Sequence, residues 1–457
     1  MSNFSIYNTQ SRDLQAVNVT GRPVHIYCCG PTVYRDAHVG NLRTFLLADL
    51  IARTLKLSGM DVLLIQNITD VGHMSEDFEA EDKMLSQAKL EKIDPFEIAH
   101  KYEERFHTDL ARLNIAPADK YPRASETIPS MLSSIQTLIE NGSAYVSESG
   151  TVYFNSQSFP SYGAISGNRL DSLKPGHRHE YSDDGEKRFH ADWALWKSAG
   201  NRSEMVWDSP WGRGFPGWHI ECTTMSLDLL DSNVDIHIGG IDLRFPHHEN
   251  ERAQSNSIIG KEAVGLWVHG EHLLFEGRKM SKSSNNVVLV EDLIAAGLDP
   301  LSLRLALMEN RYRSQMDLTW DALRAANSTL NRWRRAMAIW GNAETIGFDP
   351  EIQASLLADL DTPRALLRLR AIEKDQSLTS NQKREIFNYA DQVFALDLKR
   401  VVEIKPLTPE QLALIEKRAT ARADKNWAES DRIRDLLAID GIIVSDNPEG
   451  QSWSWVI

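Results

Sequence analysis

The chain has 457 residues, of which 64 are acidic and 50 are basic lysine or arginine, so its formal net charge is −14. Hydrophobic residues make up 42% and charged residues 25%, which is typical of a globular protein and excludes a disordered or collagen-like chain. The acidic surplus excludes a general polyanion binder, because non-specific attraction to phosphate backbones needs concentrated Lys and Arg. A nucleic-acid partner would have to contact a local basic patch.

The three cysteines, Cys28, Cys29 and Cys222, are too few for a disulfide framework, so a reducing cytoplasm is the expected location. The N-terminus has no cationic start followed by an apolar segment. No stretch approaches the roughly 18 uninterrupted apolar residues of a membrane helix. We therefore expect neither export nor membrane insertion.

The first seventy residues predict a β-α-β unit. A short apolar run over 23–29 is followed by leucine and phenylalanine at helical spacing from Gly40. Ser58-Gly59 ends this helix, and a second buried strand is predicted over 61–68. Two such strands joined by a helix form a right-handed crossover, so we expect the start of a nucleotide-binding α/β sheet.

The rest of the chain predicts an insertion, a return to the sheet and a helical end. Short segments rich in Ser, Gly, Pro and Asp follow a helix through Ile139, whereas 234–240 reads as a strand and a helix begins near Pro246. Leucine, alanine and arginine at helical spacing then predict a bundle, followed by a helix pair and two strands. The predicted fold class is α/β, with a Rossmann-type parallel sheet, an insertion, a helical bundle and a small C-terminal α/β piece. The predicted boundaries are 1–122, 123–214, 215–319, 320–404 and 405–457.

Two loops carry residues suited to phosphate chemistry. The segment 29–41, CGPTVYRDAHVGN, places His38 at the start of a helix, where free N–H groups favour anionic phosphate. The segment 277–284, GRKMSKSS, places Lys279 and Lys282 on a polar loop, where ammonium groups suit a pyrophosphate leaving group. Taken alone, the first is compatible with an ordinary loop histidine and the second with a solvated turn.

A third group consists of candidate metal ligands. Cys29, Cys222, His247 and Glu251 offer two thiolates, an imidazole and a carboxylate, a set that favours zinc. His247 and Glu251 are four residues apart and share a helix face, while both cysteines are predicted to adjoin strands. The alternative is a buried structural Cys222 beside a polar helix face, because ligands so distant in sequence form no spacing motif.

Taken together, these segments resemble the cysteinyl-tRNA synthetases, a family of class I aminoacyl-tRNA synthetases. The loop 31–41 is similar to the family's HIGH signature, with Asn41 where some members have the final histidine, and KMSKS over 279–283 is identical to the second signature. PGWHIEC over 216–222, DIHIGGIDLRFPHHENERAQS over 235–255 and KRFHADWALWK over 187–197 match stretches peculiar to this specificity. The similarity also reaches the tail, in ARADKNWAESDRIRDLL.

The resemblance implies a zinc ion held by Cys29, Cys222, His247 and Glu251, which also binds the thiolate of the substrate cysteine. A thiolate is a far better zinc ligand than a serine hydroxyl, so no editing domain is needed. The resemblance further implies substrate contacts by three more residues, namely Trp218 in the pocket wall, His237 near the polar end of the substrate, and Thr69.

For ATP, the resemblance implies that His38 and its helix face the phosphates and that Lys279 and Lys282 stabilise the transition state. Further positions are expected at the nucleotide, namely Gly40 and Asn41 in the first signature and Gly240 with Asp242 near the ribose. The implied reaction uses ATP with Mg²⁺ to make cysteinyl adenylate and then charges the 3′ end of the tRNA for cysteine. Catalysis then rests on positioning and charge stabilisation, with no covalent enzyme nucleophile.

The helical bundle and tail are expected to contact tRNA. Seven arginines between Leu301 and Asn342, against three acids, suggest a basic face for the RNA backbone. Trp320, Trp333 and Trp427 are candidates for stacking on bases, although helix-embedded aromatic residues more often lie in a core. A monomer is expected, and Cys28 is assigned to packing.

Two other functions remain open at this stage. One is a ligase that passes the cysteinyl group to an amino sugar, but such relatives lack the tRNA-reading C-terminal part that this chain retains. The other is a catalytically silent RNA-binding paralogue, against which the intact signatures and ligand set argue. Two departures from the family pattern, His73 with its acidic neighbours and Ile238 in the strand exit, touch no zinc ligand.

Overall fold

The computed structural model describes residues 4–71, 82–174, 185–280, 286–342, 344–401, 407–439, 442–447 and 450–455. Lys282 and His73 lie outside these ranges, so their predicted or open roles cannot be placed in the fold. Among the described residues, no helix combines the length and apolarity that crossing a bilayer requires.

The N-terminal part contains the predicted β-α-β unit, preceded by a hairpin that the sequence pattern did not reveal. All five residues of the central strand over 24–28 are buried, as expected for a strand with neighbours on both edges and cover on both faces. The helix after it ends at Leu57 with Ser58 as its C-cap, and Gly59 adopts a left-handed conformation. The elements are β1 (Ser5–Asn8), β2 (Asp13–Ala16), β3 (Val24–Cys28), α1 (Val39–Leu57) and β4 (Val62–Gln66).

Where it is described, the next part contains three α-helices and a separate antiparallel sheet, ordered β5-β6-β7-β8. Three of these strands have only three residues, too few for an alternating pattern to be recognised from sequence. The helix predicted through Ile139 is confirmed and ends at Glu140. The elements are α2 (Lys83–Glu91), α3 (Pro95–Arg112), α4 (Ile128–Glu140), β5 (Ala144–Val146), β6 (Val152–Phe154), β7 (Trp193–Ser198) and β8 (Gly214–Pro216).

The chain then returns to the first sheet through a helix that was not predicted. Cys222 lies within this helix, so the expectation that it adjoins a strand was wrong. Nine of its twelve residues, polar and apolar alike, are buried, so it lacks the apolar stripe that reveals a surface helix. The elements are α5 (Trp218–Leu229), β9 (Val234–Gly240), α6 (His247–Ile259), β10 (Val264–Gly270), β11 (Leu273–Phe275), β12 (Arg278–Lys279), α7 (Val290–Ala295), α8 (Leu301–Met308) and β13 (Met316–Leu318).

The first sheet has the order β10-β9-β3-β4, and its three strand pairs are all parallel. Strands β3 and β4 precede the antiparallel sheet in the chain, whereas strands β9 and β10 follow it. Neighbours β3 and β9 mark the point where strand order reverses, and ligands of such sheets bind beyond the carboxyl ends of the strands there. The predicted Rossmann-type α/β fold class is confirmed.

The C-terminal part is helical up to a last small unit with its own core of Leu407, Ile433, Leu437, Ile442 and Val444. The long helical stretch predicted from Leu301 is interrupted by β13, because that strand joins β11. The elements are α9 (Trp320–Ile339), α10 (Pro350–Leu357), α11 (Thr362–Lys374), α12 (Ser380–Phe394), α13 (Pro409–Ala423), α14 (Trp427–Ile439), β14 (Ile442–Asn447) and β15 (Gly450–Trp455).

The arginine-rich stretch after Leu301 forms the expected basic face only in part, because two of its arginines are buried. Arg304 is fully buried and binds Asp49, and Arg334 is buried against Asp299. Trp333 is also fully buried, so it belongs to the core. Four further arginines form ion pairs with acidic side chains, namely Arg311 with Asp361, Arg313 with Asp359, Arg324 with Asp321 and Arg332 with Glu373.

Candidate active site

The carboxyl ends of all four parallel strands open into one cavity of about 770 Å³. Cys29 follows β3, Thr69 lies just after β4, Gly240 ends β9 and Gly270 ends β10. The predicted site residues that line this cavity are Cys29, His38, Gly40, Asn41, Thr69, Trp218, Cys222, Gly240, Asp242, His247 and Lys279. Site residues predicted from distant stretches of the sequence therefore line one cavity.

The ends of β3 and β4 are held together by a close main-chain contact. The N–H of Gly30 donates to the side-chain oxygen of Asn67 at 2.8 Å, and a side chain on Gly30 would collide with the Asn67 carbonyl. Asn67 also donates to the hydroxyl of Thr69 at 3.1 Å. This contact fixes the floor of the cavity between Cys29 and Thr69.

His38 caps the helix that carries the first signature. Its Nδ1 accepts from the N–H of Asn41 at 3.2 Å, while the side chain of Asn41 accepts from the N–H of His38 at 3.2 Å. Asn41 therefore completes the cap at the position where some relatives have histidine. Burial lowers the pKa of His38 to about 4, so the imidazole is neutral near pH 7.

The two signature segments touch each other at the cavity wall. A Cβ atom on Gly40 would lie 2.8 Å from the methyl carbon of Met280, so only glycine fits there without displacing that side chain. The N–H of Val39 also donates to the carbonyl of Val288 at 3.0 Å, beyond the second signature. Lys279 ends strand β12 and lines the same cavity.

The four candidate metal ligands form one buried cluster. One donor atom from each of Cys29, Cys222, His247 and Glu251 lies within 4.8 Å of every other. The Nε2 atom of His247 is 2.9 Å from Oε1 of Glu251, and the Sγ of Cys29 is 3.7 Å from the same oxygen. The predicted pairing of residues four apart on one helix face is therefore confirmed in α6.

The electrostatics of this cluster fit a bound cation. Burial raises the pKa of the Cys29 thiol and of the Glu251 carboxyl, whereas the hydrogen bond from Cys29 lowers the pKa of Cys222. The Oε2 atom of Glu251 is buried and accepts no hydrogen bond from the described residues. Two sulfurs, an imidazole nitrogen and a carboxylate oxygen in a buried cluster are a donor set that suits zinc.

A second possible ligand set shares two members with the first. It combines Cys29 and Glu251 with His237 and His248, and the Sγ of Cys29 is 3.4 Å from one imidazole and 3.3 Å from the other. Neither histidine lines the cavity, and burial lowers the pKa of both. His237 thus lies behind the cluster rather than at the cavity surface. His248 was missed, although the doubled histidine of HHENE was a visible signal.

Two aromatic side chains hold His247 in place. Its ring is stacked on Trp218 with centroids 4.2 Å apart, and its Nδ1 is 2.8 Å from Nδ1 of His219. Trp218 lines the cavity, as predicted for a pocket wall. His219 was not predicted, because a histidine inside WHIEC has no spacing partner in the sequence.

A parallel sheet built from two distant parts of the chain, with two signature segments at the carboxyl ends of its strands, defines a class I aminoacyl-tRNA synthetase. The family described as the class I (C) tRNA synthetase catalytic domain matches residues 15–328, and the cysteinyl-tRNA ligase anticodon binding domain matches residues 405–453. The chain belongs to the cysteinyl-tRNA synthetases, which confirms the resemblance seen in the sequence. The anticodon-domain match removes support from the amino-sugar ligase, because that alternative requires this part to be missing.

Curated relatives agree with this assignment, and a solved structure shares the fold. A cysteine–tRNA ligase of Thermus thermophilus is 42% identical over 94% of both chains. The cysteine–tRNA ligase of Chlamydia felis is 36% identical, covering 98% of this chain and 97% of its own. A methionyl-tRNA synthetase of Mycobacterium tuberculosis, solved with methionyl-adenylate, shares the fold with a TM-score of 0.54 and 16% identity, covering 82% of this chain and 89% of its own.

Proposed function

We propose that the chain activates cysteine with ATP and transfers the cysteinyl group to the 3′ end of the tRNA for cysteine. The observation that carries this proposal is the single cavity that joins the Cys/His/Glu cluster to both signature segments. The cluster offers a site for a thiol, and the signature segments offer a site for the phosphates. A substrate that bridges them brings its carboxylate to the α-phosphate, which is catalysis by positioning.

The proposed metal is zinc, held by Cys29, Cys222, His247 and Glu251. Three of these four residues line the cavity, whereas only Cys29 of the alternative set does, so the first set is better placed to present a metal to a substrate. When bound, zinc supplies a Lewis acid that prefers the cysteine thiolate over a serine hydroxyl. His237 and His248 then support the sulfur of Cys29 from behind, through the contacts already described.

On the nucleotide side, His38, Gly40 and Asn41 face the phosphates from the start of α1, where the helix dipole favours negative charge. Gly240 and Asp242 line the same cavity and are proposed to contact the ribose. Lys279 supplies positive charge from β12, and Lys282 is proposed to do so from outside the described residues. Mg²⁺ is proposed to accompany ATP, since it commonly binds through substrate phosphates.

For tRNA, the small C-terminal unit offers an exposed aromatic platform. Trp427 is 55% exposed, and the guanidinium of Arg422 lies 5.3 Å from its ring centroid. A stacking surface beside a cation suits an unpaired RNA base. We further propose a monomer that works in the cytoplasm, where the three buried free thiols stay reduced.

The test is a pair of assays on the purified full chain. Cysteine-dependent exchange of pyrophosphate into ATP measures activation, and charging of a tRNA transcript with cysteine measures transfer. Both activities are expected, with serine giving neither. Exchange without charging would contradict the transfer half of the proposal, and no exchange with cysteine would contradict the whole of it.

A further inference from the structure

Arg43 lies on α1, five residues beyond the signature histidine, and its side chain is buried. Its guanidinium donates to four main-chain carbonyls, those of Glu271 at 2.7 Å, His272 at 3.0 Å, Arg311 at 3.2 Å and Ser314 at 2.8 Å. The four carbonyls belong to two separate segments, so one side chain ties three parts of the chain together.

Both segments lead directly into the strands that support the second signature. His272 immediately precedes β11, and Ser314 lies two residues before β13. Strand β11 pairs in parallel with β13 and antiparallel with β12. In the second pair, Leu274 of β11 lies opposite Lys279 of β12. A shift of the 271–272 segment would therefore move Lys279 with it.

Two further contacts hold the same junction, the packing of Met280 on Gly40 and the hydrogen bond from Val39 to the Val288 carbonyl. Gly40 and Met280 line the cavity, whereas Arg43 supports the junction from inside the protein. A guanidinium presents its N–H groups in a rigid planar fork, which suits four carbonyls arriving from two sides. A lysine ammonium has three donors on a flexible stem and cannot reproduce this arrangement.

We propose that Arg43 is a positioning residue that sets the distance between the two signature segments, and thereby places Lys279 relative to the ATP phosphates. It acts on the described part of the second signature indirectly, through main-chain carbonyls and strand pairing. The inference rests on the proposed activation of cysteine by ATP. It predicts an effect that is specific to the nucleotide side of the cavity, because the Cys/His/Glu cluster is held by α5, α6 and the end of β3, and the four carbonyls that Arg43 binds lie outside these elements.

The experiment is a double-mutant cycle on the full chain, using Arg43→Lys, Lys279→Ala and their combination in cysteine-dependent pyrophosphate exchange. Arg43→Lys is expected to lower kcat/KM for ATP by about ten- to a hundredfold, as small misplacements of catalytic groups do. The KM for cysteine and the zinc content are expected to stay within about twofold of the wild type. In the double variant, the Arg43 change is expected to add less than about threefold to the loss caused by Lys279→Ala, because residues acting as a unit are not additive.

Arg53→Lys is the matched control. Arg53 lies on the same helix, but it binds Asp49 and the carbonyls of Asn114 and Gln392, away from the second signature. The losses of kcat/KM caused by Arg53→Lys and by Lys279→Ala should multiply in the double variant, because the two residues act independently.

Three results would overturn the inference while leaving the proposed function intact. In the first, the losses caused by Arg43→Lys and Lys279→Ala multiply fully in the double variant. In the second, Arg43→Lys raises the KM for cysteine by as much as it lowers kcat/KM for ATP. In the third, both Arg43→Lys and Arg43→Gln unfold, which would make Arg43 a stability residue only. Absence of exchange in the wild-type protein would instead contradict the proposed function.

Discussion

The indole of Trp218 and the imidazole of His247 are stacked face to face, with centroids 4.2 Å apart and planes inclined by 27°. One ring belongs to the first residue of α5 and the other to the first residue of α6, so the contact joins the starts of two helices. Through this contact, a wall of the cavity and a candidate metal ligand form one rigid unit.

Replacing Trp218 by alanine should therefore weaken cysteine binding. Loss of the stack is expected to cost about 1 kcal/mol beyond the lost packing, which corresponds to a rise in the KM for cysteine of roughly fivefold or more. Pyrophosphate exchange at varied cysteine measures it, and Trp218→Phe should retain most of the affinity. An equal rise in the KM for ATP would contradict a role confined to the cysteine side.

Cys222→Ser should strip the metal. A serine hydroxyl is a poor zinc ligand, so metal content per chain is expected to fall and the KM for cysteine to rise by orders of magnitude. Elemental analysis of the purified variant measures the first effect. Cys28→Ala is the matched control, since Cys28 is equally buried but absent from both candidate ligand sets, and it should keep its metal. Unchanged metal content in Cys222→Ser would refute the ligand assignment.

His38 should make the folded protein sensitive to acid. Its pKa is lowered to about 4 in the folded state from an ordinary value near 6.5, so between these values the unfolded chain binds a proton that the folded chain does not. Stability is therefore lost as the pH falls below 6.5. His38→Asn, which keeps a capping side chain, should lose less stability than the wild type between about pH 7 and pH 5, by on the order of 1 kcal/mol. Denaturant titrations at both pH values measure the difference, and identical losses in the two proteins would contradict the shift.

Removing Arg304 should destabilise the junction between the catalytic region and the helical bundle. Its guanidinium binds Asp49 on α1 at 2.6 Å and the carbonyl of Phe394 at the end of α12 at 2.5 Å. Arg304→Met leaves the Asp49 carboxylate buried with less compensation, which typically costs about 3–5 kcal/mol. Chemical denaturation should show the loss. The exposed pair Arg324–Asp321 provides the control, because Arg324→Met should change stability by no more than about 0.5 kcal/mol.

Trp427→Ala should impair charging without affecting activation. Stacking of a base on an aromatic side chain is worth about 1–3 kcal/mol, so the KM for tRNA should rise by roughly tenfold or more. Pyrophosphate exchange is expected to be unchanged, because Trp427 lies in a unit with its own core. Leu412→Ala, an exposed apolar change on the neighbouring α13, should leave charging intact. A Trp427→Ala variant with normal tRNA kinetics would exclude the platform.

Sequence reasoning located the main strands of the sheet and the helices α1 and α6 because each carries a strong local pattern. Strand β3 is a continuous apolar run, and His247 and Glu251 have a helical spacing. It missed α5 because a helix buried on all sides shows no stripe, and Cys222 was therefore assigned to the wrong kind of element.

The candidate site was found only by combining distant segments, and the parts that escaped were those that have no partner nearby in sequence. His219 contacts His247 and His248 contacts Cys29, and neither contact follows from a spacing in the sequence. For the arginines after Leu301, the sequence predicted too much exposed charge. Composition gives the number of charged residues, but it does not show that Arg304 and Arg334 are buried in ion pairs. Burial is a property of tertiary packing, which a count of residue types does not contain.

The strand order β10-β9-β3-β4 also bears on synthesis at the ribosome. Strand β3 needs β9 on one edge, yet more than 200 residues separate Cys28 from Val234 in the chain. Until translation has passed Gly240, the emerging chain carries β3 with one unpaired edge, and unpaired strand edges in partly folded chains promote aggregation. The growing polypeptide must therefore shield this edge through much of its elongation, since an unpaired strand edge is a template for pairing with other chains.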